Sequence, residues 1–197
     1  MILSDKSIKE KIKTGKIYIE PFDENCLQSA TYDLHLDNHF LIFNTENHSL
    51  IDVKKPIDDF MKEIVVDDKE GYIVHPGDFV LANVKEVTGV DDCHVGRLEG
   101  KSSLARMGLV IHTTAGFLDP GNRLRLTLEM VNLSPLPIKL YPGMKIGQIA
   151  FESLDQKCDR PYGTKALGNK YFGNMTVTAS QMWKNFVVKK KKHVKKH

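Results

Sequence analysis

Residues 72–82 read YIVHPGDFVLA. Tyr72-Ile73-Val74 is short, apolar and β-branched, and Phe79-Val80-Leu81-Ala82 resumes the same character after His75-Pro76-Gly77-Asp78. Proline presets φ at the second position of a tight turn and glycine supplies the positive φ of the third, so the stretch predicts strand, turn, strand. The punctuation returns downstream, where Ile138-Lys139-Leu140 meets Tyr141-Pro142-Gly143 and Lys145 to Phe151 reads as the next strand. Upstream, Ile17-Tyr18-Ile19, Thr31 to Asp37 and Phe40 to Phe43 predict further strands, and Thr45 to Asp59 a polar surface excursion. Ser4 before Ile8 and Ile12, with Gly15 as the stop, predicts one short helix. Many short strands, Pro-Gly turns and little helix together predict a mainly β fold, a distorted barrel or jelly roll with short helices.

No composition break divides residues 1–188, which are read as a single domain; 197 residues suffice for one substantial core. The formal charge of +3 misleads, because six lysines crowd the last nine residues, KKKKHVKKH, and the body before them is net acidic. Residues 189–197 read as a basic, disordered tail. The body has no basic stripe with interleaved aromatics, so no nucleic-acid polymer is expected as partner. No apolar run approaches the roughly 20 residues of a membrane span, and the N-terminus lacks a secretory layout. Cys26, Cys93 and Cys158 are odd in number and form no CxxC pair, which excludes a disulfide framework and predicts a cytoplasmic protein.

The chemistry concentrates in residues 96–129, GRLEGKSSLARMGLVIHTTAGFLDPGNRLRLTLE. Lys101, Ser102 and Ser103 set a cation beside two hydroxyls. Arg106 follows Ser102 by one helical turn, on the same face of a short helix. Such a group suits a phosphate ester. Glu129, between Leu128 and Met130 on a strand, is a candidate acid/base. The stretch predicts an enzyme acting on a phosphorylated small molecule. His112 reads as a hydrogen-bonded packing residue, Asp119 sits in a turn that favours aspartate on its own account, and Phe79, Phe151 and Trp183 read as packing aromatics.

Taken together, GKSSLAR at 100–106, HTTAGFLDPG at 112–121, TLE at 127–129, PGMKIGQ at 142–148, PYG at 161–163 and Lys170-Tyr171 resemble the dCTP deaminases of the trimeric dUTPase superfamily. The likeness runs from Met1 to about Phe186. It implies a homotrimer whose active sites are shared between neighbouring subunits, and Mg²⁺ carried by the triphosphate with no zinc. The sequence agrees on the last point, since it has neither the His-x-Glu nor the Pro-Cys-x-x-Cys that zinc deaminases need. By resemblance, Glu129 is the general base, with Ser102 and Arg106 the other catalytic residues. Lys101, Ser102, Ser103, Leu104, Ala105 and Arg106 would bind phosphates, Asp119 the deoxyribose, and Thr127 and Leu128 the base. Gln148, Tyr162 and Lys170 would complete the triphosphate pocket, with Asn174 at its end. Asn174 departs from the family's usual glutamine, as do residues 175–181 and Asn122-Arg123-Leu124 from its common patterns.

The form Thr114-Ala115-Gly116-Phe117-Leu118-Asp119 resembles the bifunctional members, making Ala115, Gly116 and Asp119 the product-determining positions. Gly116 would leave room for a second water to reach the α-phosphate. The implied activity is dCTP deamination coupled to pyrophosphate release, supplying dUMP for thymidylate synthesis. A deaminase that stops at dUTP and a non-catalytic nucleotide-binding regulator are the alternatives.

Overall fold

The computed structural model describes residues 1–46 and 48–187. The basic tail therefore lies outside the described residues. Helix α1 (Asp5–Lys13) is capped by the Ser4 hydroxyl, which accepts from the Ser7 amide, and it buries Ile8. Eleven strands follow among the described residues: β1 (Ile17–Glu20), β2 (Thr31–Phe43), β3 (Met61–Val65), β4 (Tyr72–Val74), β5 (Phe79–Val90), β6 (His94–Gly100), β7 (Leu109–Val110), β8 (Phe117–Leu118), β9 (Arg123–Asn132), β10 (Ile138–Leu140) and β11 (Lys145–Ser153). One short helix, α2 (Ser102–Ala105), interrupts them after β6.

Nine strands form one curled sheet in the order β7-β9-β5-β2-β11-β6-β8, with β1 added to β5 and β3 to β2, while β10 and β4 pair apart from it. Every pairing is antiparallel. Its concave side wraps a core that includes Tyr32, Leu34, Leu36, Phe40, Leu98, Leu128, Ile149 and Phe151. This is the mainly β, barrel-type fold that the strand-and-turn pattern predicts.

Curvature comes from three register shifts, between Leu36 and Phe40 in β2, Asn83 and Val87 in β5, and Lys145 and Gly147 in β11. Extra residues in one strand sharpen local twist and bend the sheet. The first shift explains why the two strands expected at 31–37 and 40–43 are one strand, β2, bent rather than broken. The β5 irregularity turns Glu86 inward, where its carboxylate accepts from the His35 amide at 3.0 Å and lies 2.5 Å from His35 Nδ1. Strand β3 went unanticipated because it directly follows the polar excursion. Three Pro-Gly turns close as expected, with i+3 amides donating to the carbonyls of His75, Asp119 and Tyr141.

Candidate active site

Strand β9 buries its even residues and turns Arg125, Thr127, Glu129 and Val131 to the other face. Neighbouring β5 supplies the opposing row in fixed register: Asn83 opposite Thr127, Leu81 opposite Glu129, Phe79 opposite Val131. Thr127 and Glu129 from β9 and Leu81 and Phe79 from β5, with Leu124 and Leu126, line a cavity of about 510 Å³. Asp119, Asn122 and Tyr162 line it together with Thr127 and Glu129, and Tyr171, Asn174, Thr178 and Ser180 line it from the segment after β11.

Glu129 is half-buried, and its Oε2 accepts from the Thr113 amide at 3.2 Å, while its own amide donates to the Ile111 carbonyl. One carboxylate oxygen is thus anchored to the backbone. Thr127 Oγ1 donates to Oδ1 of the buried Asn83 at 3.1 Å, which fixes its rotamer. Leu128 between them is fully buried, so only its backbone can meet a ligand. Asp119 lies half-buried in its Pro-Gly turn, where burial pushes the carboxyl above its ordinary value. Burial likewise raises the Tyr162 phenol.

The glycine-rich stretch after β11 builds the far wall. Tyr162 N donates to Pro120 O at 2.8 Å, Gly173 N to Asn122 Oδ1 at 3.3 Å, and Arg125 N to Asn174 O at 2.9 Å. The Asn174 amide group is spent locally, donating to Thr176 O and Thr178 Oγ1. Its main chain ties down the wall. Gly121 has φ +83°, and a β-carbon there would sit 2.6 Å from Pro161 Cβ, so this turn and this segment can meet only through glycine.

The remaining predicted residues gather elsewhere. Lys101 Nζ lies 2.5 Å from Asp33 Oδ1, and Lys145 Nζ lies 3.0 Å from the other oxygen. Asp33 is 1% exposed. Burial alone would raise its carboxyl, but hydrogen bonds from the two lysines bring it below the usual value. Gln148 is fixed beside them, accepting from Thr31 Oγ1 at 3.0 Å and donating to Gly100 O at 3.1 Å. Ser102, Ser103, Ala105 and Arg106 face solvent on α2, with Leu104 buried beneath. Neither this cluster nor half-buried Lys170 lines the cavity that holds Glu129. Sequence reasoning missed Asp33 and Lys145: the alternation Thr31 to Asp37 gives no sign that one of its polar residues is buried.

Ala115 borders the cavity, but Gly116 is buried behind it. A β-carbon at Gly116 would sit 3.1 Å from the Leu98 carbonyl oxygen and 3.4 Å from the His112 ring. Its bare Cα therefore serves packing against β6, and the open flank of the cavity belongs to Ala115. His112 departs from its reading as a hydrogen-bonded packing residue: it is half-buried, and its Nδ1 is buried with no hydrogen-bond partner among the described residues. Phe79 departs from its reading as a core aromatic: it is 37% exposed and lines the cavity.

A family model described as dCTP deaminase-like matches residues 2–154. The dUMP-forming dCTP deaminase of Corynebacterium jeikeium is 44% identical over 186 residues, covering 94% of this chain and 99% of that protein. Its counterpart in Streptomyces coelicolor is also 44% identical, over 94% of this chain and 97% of the relative. Among solved structures, the 2'-deoxycytidine 5'-triphosphate deaminase of Agrobacterium tumefaciens superposes with a TM-score of 0.59 at 20% identity. That likeness, covering 76% of this chain and 47% of the other, speaks for the fold alone.

Proposed function

Because the chain belongs to the dCTP deaminase-like family, we propose that it is an enzyme that deaminates dCTP by hydrolysis and releases pyrophosphate, leaving dUMP. Two waters are consumed, and ammonia and pyrophosphate leave. The observation that carries this reading is the setting of Glu129: one carboxylate oxygen on the Thr113 amide, the side chain in a cavity whose neighbours suit a nucleoside. A carboxylate so placed takes a proton from water attacking C4 of cytosine, then returns protons to N3 and to the departing ammonia. General-base help of this kind contributes about 10²–10⁴-fold, and positioning supplies the rest. Thr127 and the Leu128 backbone face the base, Asp119 the deoxyribose hydroxyl, and Tyr162, whose amide donates to the Pro120 carbonyl, the triphosphate.

The phosphate-binding residues form a second half-site. Lys101, Gln148 and the solvent-facing side of α2 with Ser102, Ser103 and Arg106 would meet the cavity of a neighbouring copy, giving a homotrimer with shared sites. In that assembly Ser102 and Arg106 hold the attacking water and balance charge near Glu129. The buried Asp33 keeps Lys145 when Lys101 swings onto a phosphate, so no carboxylate is left without a counter-ion. Mg²⁺ enters as part of the substrate, on the triphosphate. The described lining side chains offer carboxylates, hydroxyls and amides rather than the histidine and cysteine set of a zinc deaminase. Among the described residues no helix is long and apolar enough to cross a membrane, and three free thiols fit the cytoplasm.

The test is incubation of pure protein with dCTP and Mg²⁺, with products identified over time. Stoichiometric ammonia, dUMP and pyrophosphate are expected. Stoichiometric dUTP at complete dCTP consumption would remove the second step, and no ammonia would remove the whole reading.

A further inference from the structure

The cavity continues past Glu129 in a direction that the reaction does not use. Successive side chains on one face of a strand lie about 6.8 Å apart, so the lining runs from Thr127 to Glu129 on β9 and, one such step beyond Leu81, to Phe79 on β5. Strand β2 extends that lining sideways. Its Phe43 ring lies 6.0 Å from the Phe79 ring, and Phe43 pairs in register with Met61 on β3. Leu81, directly opposite Glu129, joins the recess to the site, and Ile51 and Ile57 from the excursion between β2 and β3 complete its apolar lining.

A nucleoside with its sugar at Asp119 and its C4 at Glu129 points the far edge of its ring into this recess. Phe43, Ile57, Met61, Phe79 and Leu81 carry no hydrogen-bonding group in their side chains. The N3–O2 edge of cytosine would leave two acceptors unpaired against them, whereas the C5–C6 edge has only C–H bonds to offer. The recess therefore faces C5. Resting on the deaminase reading above, we propose that it is a subsite for a substituent on C5, so that the enzyme accepts 5-substituted deoxycytidine triphosphates such as 5-methyl-dCTP. The bonds made and broken are those of the parent reaction. Water adds at C4 and ammonia leaves, then water attacks the α-phosphate and pyrophosphate leaves, giving the 5-methylated deoxyuridine monophosphate.

The experiment compares kcat/KM for ammonia release from dCTP and from 5-methyl-dCTP, in wild type, Phe79→Trp and Ile51→Trp. One methyl group in an apolar pocket shifts kcat/KM by about 10–200-fold, which makes the ratio a sensitive gauge. The expected result is 5-methyl-dCTP turned over within tenfold of dCTP by wild type, with the ratio falling at least tenfold when either tryptophan fills the recess. The two substitutions come from different walls, so misfolding of one leaves the other readable. Turnover of dCTP with 5-methyl-dCTP more than tenfold worse in wild type overturns the subsite and leaves the deaminase intact. An unchanged ratio in a folded tryptophan variant also overturns it. Failure on both nucleotides sinks the deaminase reading itself.

Discussion

Glu129 lines the cavity and holds one oxygen on the Thr113 amide, so Glu129→Gln keeps the shape and the anchoring bond while removing the proposed base. Expected is a fall in ammonia release of at least a hundredfold, with dCTP binding changed less than tenfold; isothermal titration beside a rate assay separates the two. Asp33 invites a different test, because this buried carboxylate holds two lysines, one of which, Lys101, is proposed to bind phosphate. Lys145→Met leaves Lys101 as its sole ion-pair partner, so a several-fold rise in KM for dCTP with a smaller change in kcat should follow. An unchanged KM would place Lys101 outside the phosphate site. Asp119 carries the opposite electrostatic sign. Its folded-state pKa is raised, so folding stability falls as pH rises through that value, and the ionised group is a burden at neutral pH. Asp119→Asn should raise the melting temperature at pH 7, with the gain vanishing below about pH 4, while activity drops. Sequence motifs single out Glu129, Asp119 and Tyr162, and the structure brings the three to one cavity. Asp33 and Asn83 were not legible in the sequence, since their burial depends on strands far away in the chain.

Elements were legible where a turn spelled itself out. The Pro-Gly turns at His75–Asp78, Asp119–Asn122 and Tyr141–Met144 and the capped α1 all formed where their residues dictated. Strand extents were less so, because pairing partners decide them: β5 runs on to Val90 since β9 and then β1 lie beside it. The wall after β11 had no apolar period to read, yet main-chain hydrogen bonds to Pro120, Asn122 and Arg125 seat it against the cavity. Gly121 is the pivot of that contact. Gly121→Ala forces a side chain into left-handed backbone, costing about 1–2 kcal/mol before the contact with Pro161 is counted. Denaturant unfolding should show a loss of at least about 1 kcal/mol. KM should rise as well, because Tyr162 sits one residue beyond Pro161. Lost stability with unaltered KM would mean the segment plays no part in substrate binding.

At the scale of the molecule, the two groups of residues proposed for the site do not meet within one chain. Glu129 lies in a cavity, and Ser102 and Arg106 stand on a solvent-facing helix outside it. Nothing in the linear order of GKSSLAR and TLE reveals this, since motifs 25 residues apart could as well share one pocket. If each site joins one half from each of two neighbouring copies, defects in the two halves should complement. Glu129→Gln spoils the cavity half and Arg106→Ala the helix half, so each pure variant is inactive. Co-expressed in equal amounts with different tags, the two chains assemble at random. A site then works when its cavity comes from the Arg106→Ala chain and its helix from the Glu129→Gln chain. Every trimer carrying both tags has one of its three sites built from two intact halves, so about a third of wild-type activity should return in the doubly purified oligomer. Sites confined to one chain predict no recovery at all, because every chain in the mixture lacks one of its two residues. Dilution below the assembly threshold should abolish the recovered activity together with that of wild type. Recovery no greater than the sum of the two pure variants would show that the halves meet within a single chain, and that Ser102 and Arg106 must move to reach Glu129.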